Sequence, residues 1–363
     1  MTARPILVVE DDPFPRLLQA FLAEHDDAAR TAAITDFVSV DVADYPAWLK
    51  AARENAQGLY PAEVRLVSNQ AELRAALPGA HAVVTESLLI GAAELALADQ
   101  LKVVHKYGTV LRNIDVAACR ARGLQLLTIR RRANIACAEY AMALMLMLAK
   151  RLNETPNRLS MEQLHAAGFK SAHFDQRYVA NSNWVRVPGM LNVSGMTMGI
   201  IGLGEIGREL ALRAHAFGMK LLYTQRTRLD TATEGEYHAE YRTLNDLLAA
   251  SDWVMVTIPL NDQTRHLLGR AELAQMKRGA RLVNISRAHI VERQALFDAL
   301  QSGYLGGLGL DTFYEEPGRA EDPMLQFRNA IVTLRIAAQP RVNALADLAD
   351  VMNQLATALK GKP

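Results

Sequence analysis

The stretch GIIGLGEIGRELALRAHAFG, Gly199 to Gly218, decides the fold. It contains the pattern GxGxxG as Gly202, Gly204 and Gly207. The pattern alone is common, but its context is specific. It follows the strand-like run TMGII (197–201) and opens a segment whose Ile206, Leu210, Ala214 and Phe217 recur at helical spacing. A second strand-like run, KLLYT (220–224), comes next. Strand, glycine turn, helix and strand in that order predict a βαβ unit that binds a dinucleotide. Gly202 allows the tight turn, Gly204 lets the backbone approach a pyrophosphate, and Gly207 lets helix and sheet pack closely. The phosphates fall to the helix N-terminus at Glu205 and Ile206, where unpaired N–H groups and the helix dipole favour an anion.

Outward from that unit the same rhythm continues. From Gly195 onward six strands are expected: TMGII, KLLYT, WVMVTI (253–258), RLVNIS (281–286), GGLGLDTF (306–313) and AIVTLRI (330–336). Helix-length segments separate them, which predicts a Rossmann-type doubly wound parallel sheet. The first third of the chain has its own strands at PILVV (5–9), VRLV (64–67), HAVVTE (81–86), KVVHKY (102–107) and QLLTI (125–129), with helical patterns between. Residues 152–194 are polar, with scattered Asn, Pro and Gly, and read as an elaborated connection or dimer arm. The closing segment VNALADLADVMNQLATALK has apolar residues at helical spacing and is expected to pack back onto the first domain.

Composition sets the outer limits. The 363 residues are enough for two domains, and 40 basic against 39 acidic side chains leave a formal charge of +1. Neither a nucleic-acid footprint nor a charged tail is visible in those totals. Cys119 and Cys137 have neither metal-type spacing nor a disulfide framework, so no metal is expected and the cytoplasm is the expected compartment. The apolar pattern Ala136 to Ala149 is shorter than a membrane span and carries Glu139, so it reads as a buried helix and no membrane partner is expected. The opening ILVVEDDPFPRLL is similar to the start of a phosphoreceiver domain. Such a domain needs an aspartate after its third strand, and AARENAQGLY in the 50s has none, so a plain strand followed by an N-capped helix is the better reading.

The end of the second cofactor strand sets the cofactor. An acidic residue there would hold the ribose hydroxyls of NAD, but the chain has Gln225, then Arg226, Thr227 and Arg228. No carboxylate repels a 2′-phosphate and two guanidinium groups are available to bind one, unless both are simply solvated. NADP is therefore expected, with NAD as the alternative.

Several segments together resemble the D-isomer-specific 2-hydroxyacid dehydrogenase family. They are KYGTVLRNIDVAACRARG, GIIGLGEIGREL, VTIPLNDQTRHLLG, MKRGARLVNISRAHIVERQAL and GLDTFYEEP, in family order at family spacing. The resemblance implies a flavodoxin-like α/β substrate domain from both chain ends (1–133 and 337–363), a Rossmann domain inserted at 134–336, a homodimer, and an active site in a cleft. It also implies oxidation of small D-2-hydroxy acids or reduction of 2-keto acids of the glyoxylate or hydroxypyruvate type. Carried over by position, Arg287 binds the substrate's carboxylate and carbonyl, Asp311 meets the nicotinamide carboxamide, and Glu316 orients the catalytic acid. Lys106, Gly108 and Thr109 hold the substrate carboxylate, while Thr257, Pro259 and Ser286 line the cofactor. An arginine beyond a strand's C-terminal end, like Arg287, offers a planar fork for a carboxylate.

Two positions depart from the family. Val110 stands where a glycine is usual two places after Gly108, and where a catalytic histidine is usual, NAIVTLRIAAQP (329–340) has Arg335. Histidine gives and takes protons near neutrality; arginine stays charged and polarises a carbonyl without protonating it. An ion pair with Glu316 is expected instead. His289 and Tyr314 are the candidates for a substitute donor. The run Arg130-Arg131-Arg132 either recognises a second anionic group or is a solvated hinge. Two functions follow: a reductase with altered proton delivery, or an NADP-binding sensor or interaction protein with little turnover.

Overall fold

The computed structural model describes residues 4–173, 177–178 and 184–360. The chain divides into two compact units, Met1–Asn134 with Ala338–Pro363, and Ile135–Ala337.

The first unit is built on five parallel strands: β1 (Ile6–Glu10), β2 (Glu63–Val67), β3 (Ala82–Thr85), β4 (Val103–Lys106) and β5 (Gln125–Thr128). Their order is β2-β1-β3-β4-β5, the flavodoxin-like order. The central strands are apolar on both faces because helices cover both. Leu7, Val9 and Val84 pack with Leu348, Val351 and Leu355 of the C-terminal helix Val342–Leu359. Val8, Val83 and Val104 pack on the other side with Leu73 and Leu95. The closing helix thus belongs to the first unit, as its periodicity implies. Two helices, Ala28–Val38 and Tyr45–Asn55, are started by the N-caps Asp27 and Asp44. The second occupies the first half of the 50s, where no strand forms; the third strand ends at Thr85 and is followed by Glu86. No aspartate stands there either.

Among the described residues the second unit has seven strands rather than six: β6 (Thr197–Ile201), β7 (Lys220–Thr224), β8 (Ala239–Tyr241), β9 (Trp253–Val256), β10 (Arg281–Asn284), β11 (Gly307–Leu310) and β12 (Ala330–Val332). They run parallel in the order β12-β11-β10-β9-β6-β7-β8. Six of them reproduce the dinucleotide-binding order, and β12 adds a seventh beyond it. The missed strand, β8, has three residues around a glutamate and pairs only with β7, so it lacks the apolar signature of a central strand. Chain order reverses between β6 and β9, and ligands bind beyond the strand ends at such a switch point.

The helix Arg132–Lys150 is long and apolar enough to cross a membrane by length and composition. Its Ala138, Ala141, Leu144, Met145 and Leu148 are buried in the core of the second unit. In the connection, the helix Met161–Ala166 is described, while residues 174–176 and 179–183, part of the expected dimer arm, lie outside the described residues.

Candidate cofactor and active site

The glycine loop is built by close contacts. Gly202 sits at φ +99°, where a Cβ would also meet the Ile258 side chain at 2.4 Å. A Cβ on Gly207 would lie 2.2 Å from the carbonyl oxygen of Gly202. Both glycines are therefore demanded by the fold itself. Gly204 differs, because a Cβ there would meet nothing within 4 Å. It is the N-cap of the helix Glu205–Ala216, and no side chain caps that helix, whereas the helices started by Asp230 and Thr243 carry side-chain caps. An uncapped helix start under an open glycine is the cradle a pyrophosphate would fill. The residues present fit a dinucleotide. Along the helix, Leu210 and Ala214 are buried and Ile206 packs against the same core. Phe217 does not share that face: it is the C-cap residue and 44% exposed, the helical repeat having ended before it.

Around the loop, Thr257 donates to the carbonyl of Gly202 at 2.7 Å, so its hydroxyl holds the turn. Pro259 lies just beyond, its carbonyl accepting from Thr264. At the end of β7, Gln225 accepts from Leu203 N–H at 3.2 Å and donates to the carbonyl of Thr227 at 2.7 Å, tying the second strand to the glycine loop. The two arginines behind it are not equivalent. Arg228 makes a two-pronged ion pair with Glu234, 2.8 and 2.9 Å. The expectation of two available guanidinium groups is corrected to one: among the described residues Arg226 has a single long contact, 3.5 Å, with Gln263.

Beyond β10, β11 and β12 three charged side chains gather. Arg335 donates to Glu316 Oε2 at 3.0 Å, and Glu316 Oε1 accepts from Phe313 N–H at 2.8 Å. Partial burial and the Arg335 charge pull the Arg287 guanidinium below its ordinary pKa, with Glu316 opposing them. Two cations and one carboxylate leave a net positive charge, suited to an anion. Arg287 is presented by a turn built on Asn284, fully buried at the end of β10, which donates to the Arg287 carbonyl and accepts from Ser286 N–H. The Ser286 hydroxyl donates to the carbonyl of Val256. Sequence reasoning passed over Asn284, whose signal was a polar residue directly after the apolar pair Leu282-Val283.

Asp311 is 2% exposed. It accepts from Thr333 Oγ1 at 2.7 Å, Ile336 N–H at 3.0 Å and Ala337 N–H at 2.7 Å. These bonds bend the chain around Arg335, whose φ is 59°, which is why the expected strand AIVTLRI stops at Val332. A nicotinamide contact would have to use the one acceptor position these bonds leave. Of the two candidate substitute donors, Tyr314 is committed elsewhere. The Tyr314 hydroxyl donates to the carbonyl of Val291 at 2.9 Å, burial pushes its pKa well up, and His289 packs edge-on to its ring.

In the first unit, Lys106 ends β4 and is 5% exposed, its ammonium reaching the carbonyl of Glu86. Gly108 has φ 150°, its carbonyl accepts from Ile129 N–H, and Thr109 follows it. The arginine run is largely occupied. Arg131 lies over the Tyr107 ring, 4.7 Å from its centroid, and 4.0 Å from Glu86. Arg132 pairs with the buried Asp347 and with Asp350, both at 2.8 Å, tying it to the C-terminal helix.

Residues 142–337 match the model of the D-isomer specific 2-hydroxyacid dehydrogenase NAD binding domain. The chain is 36% identical over 269 residues to glyoxylate/hydroxypyruvate reductase B of Erwinia tasmaniensis, covering 74% of this chain and 78% of that protein. A putative D-isomer specific 2-hydroxyacid dehydrogenase from Polaromonas shares the fold at TM-score 0.51 and 28% identity, covering 85% of this chain and 93% of that one. D-mandelate dehydrogenase of Rhodotorula graminis shares it at TM-score 0.56 and 22% identity, over 97% and 93%. With the glycine cradle, the switch point and these likenesses together, the chain belongs to the D-isomer specific 2-hydroxyacid dehydrogenase family.

Proposed function

We propose that this protein is an NADP-preferring reductase of small 2-keto acids, of the glyoxylate or hydroxypyruvate type, in which Arg335 takes the place of the usual proton donor. The observation that carries the cofactor part is the open, uncapped helix start at Gly204. The 36% likeness to a protein named glyoxylate/hydroxypyruvate reductase supports the substrate class.

In this reading the bound nicotinamide supplies the hydride. Gly204, Glu205 and Ile206 would hold the cofactor's phosphates, with Gly202 and Gly207 shaping the turn and Thr257, Pro259 and Ser286 lining the site. Gln225 and Thr227 would shape the adenosine end, and Arg226 would bind the 2′-phosphate; a glutamine in place of an acidic residue at 225 and, among the described residues, the lack of an ion pair on Arg226 support NADP. Arg287 grips the carboxylate and carbonyl of the keto acid, and in the first unit Lys106, Gly108 and Thr109 form a carboxylate-binding loop. Arg335, steadied by Glu316, polarises the carbonyl as negative charge develops on its oxygen. The proton then comes from water, because a guanidinium keeps its own. The protein acts in the cytoplasm as a homodimer, without nucleic acid or membrane as partner.

The ion pair between Arg335 and Glu316 also favours a second reading, a cofactor-binding sensor or interaction protein with little turnover. Oxidation of NADPH in the presence of glyoxylate or hydroxypyruvate by purified protein decides between them. Measurable steady turnover supports the reductase; tight NADPH binding without turnover supports the sensor.

A further inference from the structure

The carboxylate at the end of β1, Glu10, is 8% exposed. The row of strand ends runs β1, β3, β4: Val9 pairs with Val84, and Thr85 with Lys106. Glu10 therefore stands beside the turn that follows β3, and it gathers that turn's donors. Its Oε2 accepts from Thr85 Oγ1 at 2.8 Å and from three consecutive main-chain N–H groups, Glu86 at 2.6 Å, Ser87 at 2.8 Å and Leu88 at 3.1 Å. Its Oε1 accepts from Ser87 Oγ at 2.5 Å. Three successive amides converging on one oxygen form an anion nest, and here the anion is the protein's own. Burial pushes this carboxyl up, and the bonds from Ser87, Leu88 and Thr85 outweigh it, so the group titrates below the usual range.

The anchored turn in turn carries the next loop. Lys106 donates its ammonium to the carbonyl of Glu86, Tyr107 N–H donates to Thr85 at 2.8 Å, and Asn113 donates to Leu88 at 2.8 Å. Those three bonds span the segment that contains Gly108 and Thr109. We propose that Glu10 is a positioning residue for substrate binding, fixing the Glu86–Leu88 turn so that Lys106, Gly108 and Thr109 hold a carboxylate. This rests on the reading of those three residues as a substrate-binding loop.

The test measures oxalate binding to the NADPH-loaded protein by calorimetry, alongside NADPH affinity and the glyoxylate KM. Glu10→Gln keeps an acceptor and loses the charge, whereas Glu10→Ala strands three amides, so oxalate should weaken in the order Glu, Gln, Ala, reaching about tenfold at Ala. NADPH affinity should stay within twofold, and the glyoxylate KM should rise with kcat nearly unchanged. Ser87→Ala, a mild change, should move oxalate the same way by a few-fold. Lys106→Ala is the control on the reading. If it weakens oxalate and neither Glu10→Gln nor Ser87→Ala does, the Glu10 proposal is overturned while the loop reading stands. If native protein binds no oxalate, or Lys106→Ala leaves it unchanged, both are overturned. Should Glu10→Ala not fold, Glu10→Gln and Ser87→Ala decide by the same criterion.

Discussion

Arg335 donates to Glu316 across 3.0 Å from a backbone held at φ 59° by the buried carboxylate of Asp311. The turn that carries Arg335 is thus built into the sheet ends. A left-handed arginine costs on the order of 1 kcal/mol, which the bonds from Ile336 and Ala337 N–H to Asp311 offset. Asp311→Ala should therefore release this turn and lower the glyoxylate turnover at least tenfold, with a fall in melting temperature of several degrees. Unchanged kinetics in a folded variant would show that the turn does not matter to the reaction.

The glycine loop separates folding from cofactor binding. Gly207→Ala puts a Cβ 2.2 Å from a main-chain oxygen and should destabilise the unit. Gly204→Ala meets no protein atom within 4 Å, so it should fold with an unchanged melting temperature yet lose NADPH affinity by tenfold or more. Calorimetry and thermal unfolding of the two variants check this together, and tight NADPH binding by Gly204→Ala would remove the pyrophosphate from this loop.

How far the sequence carried this depended on the range of the interaction. The strand TMGII and the glycine spacing were legible because a βαβ unit is local, and the Arg335–Glu316 pair followed from the family's pattern at those two positions. Glu234 capturing Arg228 was not legible, since a guanidinium six residues before an acid says nothing about where the helix after Asp230 will turn. Glu10 was visible only as part of an acidic run, because its donors lie 75 to 78 positions away. The strand β8 was hidden for the opposite reason: an edge strand of three residues needs no apolar pattern.

The proposed preference for NADP rests on that capture. With Arg228 occupied, Arg226 is the guanidinium proposed to bind a 2′-phosphate. Arg226→Ala should raise the KM for NADPH about tenfold or more and leave that for NADH within twofold, while Arg228→Ala should weaken both little. Steady-state kinetics with the two cofactors is the check, and equal loss for NADH would mean that Arg226 reads something other than the phosphate.

His105 gives the fold an acid limit. It is fully buried on β4, bonded through Nε2 to Gln354 at 2.8 Å, and burial lowers its pKa from 6.5 to about 4. A histidine depressed in the folded state stabilises above its unfolded pKa, and that contribution is lost as pH falls from about 6.5 towards 4. The loss amounts to about 3 kcal/mol. Denaturant unfolding at pH 7 and pH 4 should show a drop of that size, and His105→Leu should show a shallower one. An equal drop in the variant would assign the acid sensitivity to other groups.

The central claim is that Arg335 occupies the position of the proton donor and does not do its work. The direct measurement is kcat for glyoxylate reduction by native protein and by Arg335→His across pH 5.5 to 9. The account predicts a gain of about two to four orders of magnitude for the variant, falling away above neutral pH as the introduced imidazole loses its proton, against a slow profile without that step in the native protein. Equal rates, or a native profile that already carries a titration near neutrality, would contradict it.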